Sequence, residues 1–389
     1  MTLPLFGTLS ADPSSHDIDQ IAVVKGGAKA VDFNRAGGFL IDSVSKSGTS
    51  QFTGMASYQV QTDSMTEDRD TISDAEFEED RDWATLSLGG PIVSDRLFFY
   101  GSYYRPTRER DNRANLYGDV PNFESERDEF FGKLTYTPTN KILLHGSYRD
   151  SSTDVIGASV GGSATAGTAS TGSESSLEIA IAEGSWLIDD RSFATFKYTD
   201  FGNETQSRPD TVLGFTPAID GSLNLDVNNL DQMGLFQVPT PIAGDASYNE
   251  FIGPLIEQYG FIENGVPTGG GLVGAGTTFD NNDFFRESIQ VGYDRTFGET
   301  ITHDVHVGYQ WYKDEEDLFR TSNGWGFIEV IGGRDTFDGE PIFYRGRIQQ
   351  QTLGVGAAPT IHSEFESQNF EINDTIQWQN WSFNVGVMV

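Results

Sequence analysis

Four stretches of this chain bring together residue types that could do chemistry. Ser43-Val-Ser-Lys46 has the S-x-x-K spacing of a serine nucleophile and its lysine base, and Lys46-Ser-Gly48 resembles the K-T-G element of the same acyl-transfer chemistry. Such chemistry needs two separate lysines on separate elements, whereas here Lys46 would serve both. The serine would also have to open a helix, and this stretch reads as a strand entering a turn. His303 and His306 suggest metal ligands, but an offset of three on a strand puts them on opposite faces. His16, His145 and His362 have no neighbouring histidine. Gly269-Gly-Gly-Leu-Val-Gly274 matches G-x-G-x-x-G by letters, yet no strand precedes it and polar Thr277–Asp283 follows instead of a helix. It reads as a flexible loop. Asp63–Asp82 holds ten carboxylates and two arginines. Calcium favours such oxygen ligands, but EF-hand spacing is absent, and a solvated acidic loop is the simpler reading. No catalytic residue, cofactor-binding residue or metal ligand is assigned, and the chain reads as a non-enzyme.

Composition narrows the classes further. Lys and Arg number 25 against 58 Asp and Glu, a net charge of −33. That balance excludes nucleic acid as a partner, because nothing here neutralises a phosphate backbone. Adhesion to an anionic membrane surface is disfavoured for the same reason. A disordered acidic chain would be poor in aromatics, and this one has 28 Phe, 14 Tyr and 6 Trp. The absence of cysteine removes disulfides, cysteine-based zinc sites and thiol catalysis. There is no run of 18 apolar residues, so no transmembrane helix is expected.

The elements that position these residues are strands. Period-2 alternation recurs in segments of about ten residues, the length a tilted transmembrane strand needs. In Asp304–Tyr312, Val305, Val307, Tyr309 and Trp311 share one face, opposed by Asp304, His306, Gly308 and Gln310. In Arg286–Phe297, Ile289, Val291, Tyr293 and Phe297 oppose Arg286, Ser288, Gln290 and Asp294. Trp381, Phe383, Val385, Val387 and Val389 line one face of the last segment. Eleven strands are expected, at 53–62, 83–90, 96–104, 127–137, 141–150, 177–187, 191–201, 286–297, 301–313, 367–378 and 381–389. Short connections (Pro91–Asp95, Pro138–Asn140, Ile188–Asp190, Gly298–Thr300 and Gln379-Asn380) alternate with long ones (63–82, 105–126, 151–176, 202–285 and 314–366). Apolar-out, polar-in strands with short turns at one end and long loops at the other are the signature of an outer-membrane β-barrel. Trp83, Tyr103, Tyr104, Trp186, Trp311, Tyr312, Trp378 and Trp381 sit near strand ends, as an interfacial girdle requires. Asp374, between Ile372 and Ile376, breaks the apolar face and is expected near an interface or a ladder irregularity.

Before residue 53 the texture changes to a strand over Ile18–Gly26, a small-residue helical stretch and a strand over Phe39–Val44. The run Ile21-Ala-Val-Val-Lys-Gly-Gly27, followed by Gly37-Gly-Phe-Leu-Ile-Asp-Ser-Val-Ser-Lys-Ser-Gly-Thr49, resembles the closing segment of the plug in TonB-dependent outer-membrane receptors. Lys46-Ser47-Gly48-Thr49 leading into Phe52-Thr-Gly54 looks like the Oar-like subgroup, with Gly37 and Gly38 completing the plug-to-barrel motif. Leu88-Gly89-Gly90-Pro91-Ile92, then Arg96-Leu97-Phe98-Phe99-Tyr-Gly-Ser102, resembles the second and third barrel strands of that subgroup. These motifs cover residues 18–104; the rest agrees in strand-and-loop pattern.

The resemblance implies a barrel of roughly 22 strands closed by a plug. It implies import of a ligand driven by the TonB energy-coupling complex, engaged through a missing N-terminal segment. The expected fold is accordingly an all-β transmembrane antiparallel barrel, with about 11 strands present as an open half-barrel. Residues 1–52 would be the end of the plug and 53–389 the N-terminal half of the barrel. Outer-membrane lipid and lipopolysaccharide would surround it in a Gram-negative outer membrane, and no cofactor is implied. The alternatives are a passive porin or structural barrel, and a soluble secreted adhesin or glycan-binding β-protein. Siderophores, glycans, peptides and an exported protein all remain open as ligand. Phe236, Tyr248, Phe251, Tyr259 and Phe261, interleaved with Asp, Asn and Glu in the longest loop, are the ligand-binding candidates. The competing reading is that 244–262 is a small self-packed helix that serves only to fold the loop.

Overall fold

Strand register is dictated by which face of each segment is apolar, because a one-residue slip would turn every side chain to the other side. The computed structural model describes residues 15–25, 39–66, 78–111, 114–158, 163–165, 171–213, 225–348 and 360–389. The expected helical stretch before Phe39, with Gly37 and Gly38, lies outside the described residues, as do residues 67–77 of the acidic stretch.

Two short strands, β1 (Ile18–Lys25) and β2 (Phe39–Ser45), form an antiparallel pair at the N-terminus. The main sheet is built from β3 (Thr53–Gln61), β4 (Glu79–Val93), β5 (Leu97–Arg110), β6 (Phe123–Thr139), β7 (Ile142–Ile156), β8 (Thr171–Asp189) and β9 (Ser192–Pro209). It continues through β14 (Thr278–Phe297), β15 (Ile301–Ser322), β18 (Ile361–Trp378) and β19 (Trp381–Met388). These eleven strands pair in chain order, all antiparallel, with β3 at one edge and β19 at the other. Among the described strands nothing pairs with the free side of either edge. No helix among the described residues is long and apolar enough to cross a membrane.

The two faces differ as alternation requires. Leu86, Leu88, Phe130, Leu134, Leu144, Trp186, Phe196, Val291, Val307, Phe370, Ile372, Phe383, Val385 and Val387 all lie on one side and are exposed. A water-soluble monomer rarely leaves so continuous an apolar surface open; hydrocarbon is the solvent it suits. The opposite face carries Glu129, Arg149, Thr199, Asn203, Ser288, Asp314, Asn369, Glu371 and Asn373, all buried. His306 faces this polar side, its Nδ1 lying 2.8 Å from Asp294 Oδ1 and its Nε2 2.8 Å from Glu371 Oε1. His303 faces the apolar side, where Asp374 Oδ2 lies 2.8 Å from its Nδ1. The two histidines therefore face opposite ways, and Asp374 is explained by its partner. The pair sits within two outward positions of Trp378, beside the Gln379-Asn380 turn, and the Phe297 ring stacks on His303 at 5.2 Å.

At the short-turn end the strands begin and end within a few residues of their expected places. At the long-loop end they run on. β14 has 20 residues and β15 has 22, about 70 Å of strand at roughly 3.4 Å per residue, more than a bilayer can hold. Residues expected as loop at 105–110, 151–156, 202–209, 278–285, 314–322 and 361–366 are strand. Hydrogen bonding between neighbours continues into water even though the apolar alternation stops.

The remaining chain folds on that end of the sheet. β10 (Leu235–Gln237), β13 (Leu272–Val273), β16 (Phe327–Phe337) and β17 (Glu340–Arg347) make a four-stranded sheet. Beside it lie helix α1 (Ala246–Tyr259) and the hairpin of β11 (Phe261–Glu263) and β12 (Val266–Thr268). Asp245 caps the helix, its carboxylate accepting from Tyr248 N. The two longest connections thus build one small unit around Leu230, Phe236, Val238, Leu255, Tyr259, Val273, Trp325 and Ile328, and the helix lies within the 244–262 stretch of the competing reading. Glycines at Gly269 and Gly271 let its strands approach: a Cβ at Gly269 would strike the Pro239 carbonyl, and one at Gly271 the Tyr117 ring. The G-x-G-x-x-G letters serve close packing.

Candidate functional site

The site is the contact between the N-terminal hairpin and the polar face of the sheet. The turn of 3-10 helix at Ser15–Asp17 delivers Asp17 against that face just before β1 begins. Asp17 is 1 % exposed. Its carboxylate accepts from Tyr100 Oη on β5 at 3.1 Å and from Arg149 Nη2 on β7 at 3.5 Å. Arg149 also donates to Glu129 on β6 and lies 4.6 Å over the Phe131 ring. Glu129, itself 1 % exposed, accepts a second cation from Arg127, whose Nε donates to Ser151 Oγ at 2.9 Å. A carboxylate in so dry a place is tolerated only when paired and hydrogen-bonded, and here two carboxylates share two guanidinium groups.

The exit of the hairpin is held at the same end. Lys133 Nζ on β6 donates to the carbonyl and hydroxyl oxygens of Ser45 at 3.1 and 3.2 Å. Lys46 N donates to Asp17 O at 2.8 Å, which ties the exit of β2 to the entry of β1. Ser43 lies on β2 and Lys46 follows it, so neither opens a helix and the acyl-transfer reading has no scaffold.

After Lys46 the chain crosses the rim of the sheet. A Cβ on Gly48 would collide with the backbone of Phe99, and Gly89 lies beside Gly48. The Phe52 ring occupies the space a side chain at Gly90 would need, with its centroid 6.4 Å from that of Phe99. Of the motif residues, Gly48, flanked by Lys46, Ser47 and Thr49, thus packs on Gly89 and Phe99 at the turn end of β4 and β5, where Gly90, Pro91, Leu97 and Phe98 also lie. The two sequence motifs meet in space.

Further along the polar face stands a ladder of arginines. Arg81, Arg108, Arg110, Arg127, Arg149, Arg286 and Arg320 share that side, whereas Arg105 and Arg208 face outward. Arg108 is bidentate on Glu79, at 3.0 and 2.7 Å, and Arg286 on Asp314, at 2.5 and 2.7 Å. The outward side at the same height is acidic. An open trough of about 920 Å³ there is lined by ten carboxylates, among them Asp82, Glu126, Asp154, Glu174, Glu204 and Asp283.

The five aromatic candidates occupy packing positions in the loop unit. Phe236, Tyr248 and Tyr259 are buried, Phe251 packs against Phe343 and Tyr344, and Phe261 meets Tyr117 edge-on at 5.9 Å. Burial pushes the Tyr117 phenol up to about 12 and raises that of Tyr259, where nearby Asp231 adds to the effect. Both therefore stay protonated donors: Tyr117 Oη reaches Tyr259 O at 2.9 Å, and Tyr259 Oη reaches Asn228 O at 3.2 Å. Sequence reasoning missed Asp17, Glu129, Arg149 and Lys133. The available signal was the run of charges at alternate positions of one strand, Arg127, Glu129 and Lys133, on the face opposite Phe130 and Leu134.

No family model and no curated protein matches the chain. Solved structures do. The outer membrane transporter YddB from Escherichia coli superposes with a TM-score of 0.61 at 11 % identity, covering 96 % of this chain and 43 % of its own. The ferripyoverdine receptor of the outer membrane of Pseudomonas aeruginosa gives 0.53 at 10 % identity, with 96 % and 41 % covered. The ferric preacinetobactin receptor BauA from Acinetobacter baumannii gives 0.51 at 12 %, with 94 % and 45 % covered. All three are transporters or receptors rather than enzymes, and the chain spans less than half of each. At such identities the likeness is one of fold: this chain is similar to a part of outer-membrane transport receptors.

Proposed function

We propose that this chain is part of a TonB-dependent receptor of a Gram-negative outer membrane, which imports a ligand against its gradient. Residues 1–52 are the closing part of a plug and residues 53–389 are the first half of a barrel of roughly 22 strands. The observation that carries this reading is the N-terminal hairpin held by Asp17–Arg149 and Lys133–Ser45 on the polar face of a sheet whose other face is apolar. A passive pore has no use for a structure in its lumen, and a secreted adhesin has none for an exposed apolar face. The free edges at β3 and β19 favour completion by further strands, since each unpaired backbone group in hydrocarbon costs several kcal/mol. The names of the neighbours, a transporter and two receptors for ferric ligands, agree with import.

The meeting of Lys46-Ser47-Gly48-Thr49 with Gly89-Gly90-Pro91 supports the Oar-like resemblance and the plug-to-barrel boundary near residue 52. Ligand capture falls to the loop unit that Phe236, Tyr248, Phe251, Tyr259 and Phe261 hold together at the long-loop end. Lipid surrounds the apolar band, and lipopolysaccharide head groups lie at the height of the acidic trough. Uptake by cells carrying the complete receptor tests the reading. Import should stop when a protonophore collapses the inner-membrane gradient; import that continues undiminished would mark a passive pore.

A further inference from the structure

We infer that the outward face of β15 and β18 carries a binding site for a divalent transition-metal ion of the zinc class, formed by His362, Glu364 and Glu315 and oriented by Asp317. Register makes the site. Glu315 pairs directly with Glu364, and Asp317 with His362, so two successive outward rungs place four side chains on one patch. The ligand atoms of Glu315, His362 and Glu364 lie within 4.8 Å of one another.

The histidine is set as a metal ligand requires. Its Nδ1 bonds to Asp317 Oδ1 at 2.7 Å, which presents Nε2 towards Glu364 Oε2, 3.9 Å away. A carboxylate behind a histidine fixes the ring and raises the basicity of the coordinating nitrogen, the usual outer partner of a metal-bound imidazole. Tetrahedral zinc, with bonds of about 2.1 Å, would bring the three ligand atoms to about 3.4 Å apart. All three side chains are at least partly exposed and free to close that distance. A histidine among carboxylates selects against calcium and magnesium, which take oxygen ligands.

The place is already one for a cation. Lys313, one rung nearer the apolar band, inserts its ammonium between Glu315 and Glu364, at 3.1 Å from the latter. A metal ion would replace this ammonium and bind both strands at the root of the connection from Ser322 to Ile361, which contributes β16 and β17 to the loop unit. Occupancy would clip that root. The inference does not rest on the transport reading.

Zinc titration of the complete, untagged receptor in detergent tests it, with cobalt as the spectroscopic probe. One ion per chain should bind, with cobalt absorption bands of mixed nitrogen and oxygen coordination. His362→Gln and Glu364→Gln should each weaken binding at least tenfold. Lys313→Met should tighten it, because the competing cation is gone, and far-UV circular dichroism should confirm that all three variants keep the fold. Binding unchanged in His362→Gln, weakened in Lys313→Met, or displaced equally well by calcium would overturn the proposal.

Discussion

Gly48 and Phe99 meet backbone to backbone: a methyl group on Gly48 would run into the Phe99 carbonyl oxygen, with no flexible side chain there to give way. This contact fixes where the chain leaves the hairpin and turns into the first strand of the sheet. Gly48→Ala should therefore cost about 1–3 kcal/mol, the usual penalty for forcing extra volume into a packed site. Gly132→Ala is the control, since nothing lies within 4 Å of a Cβ there. The urea midpoint of the folded protein should fall for the first change and hold for the second. Equal midpoints would show that the crossing is not tightly packed.

The Asp17–Arg149–Glu129 cluster should respond in a non-additive way. Arg149→Met removes the cation that the buried Asp17 and Glu129 share, a loss of about 3–5 kcal/mol. Adding Asp17→Asn should recover part of it. Limited proteolysis within the hairpin reads this directly: cleavage should be fast in the single variant and slower in the double one. Additive losses would mean that Asp17 and Arg149 do not share a site.

Strand faces are tested by one pair of changes on β15. Val307 faces the apolar side and Gln310 the polar side. An arginine near the middle of the lipid face costs about 2–4 kcal/mol, so Val307→Arg should impair membrane assembly far more than Gln310→Arg. The heat-modifiable band in a detergent gel measures it, and equal tolerance would reverse the assignment.

In the loop unit, Ile328 is fully buried in the core. Ile328→Ala should cost about 2–5 kcal/mol locally, abolish ligand uptake and leave the barrel assembled. Undiminished uptake would remove this unit from capture.

The turn-side half of the sheet was legible in the sequence because two independent signals agree there. Alternation runs up to Trp378 and Trp381, and the two-residue turn Gln379-Asn380 joins them, with Gln379 at φ 50°. At the other end Glu124-Ser-Glu-Arg-Asp128 is polar on both faces, so the strand shows no period although its hydrogen bonds continue. The loop unit was half legible. Tyr248, Ile252, Leu255 and Tyr259 fall at helical spacing and do form the buried stripe of α1. Leu255 and Tyr259 share their core with Trp325 and Ile328, some 70 residues away, and only the fold reveals it. Separation in sequence likewise hid the Asp17–Arg149 contact, 132 residues apart, and the pairing that sets His362 beside Glu315.

The central claim, a hairpin held on the inner face of a transmembrane sheet as part of a plug, can be tested through thiols. The chain has no cysteine of its own, so Ser45→Cys and Lys133→Cys place two unique thiols where these side chains touch. A short bis-maleimide added to the complete receptor in outer membranes should join them within one chain and halt protonophore-sensitive uptake, while either single variant continues to import. Absence of the intramolecular cross-link, or full uptake by cross-linked receptor, would contradict it.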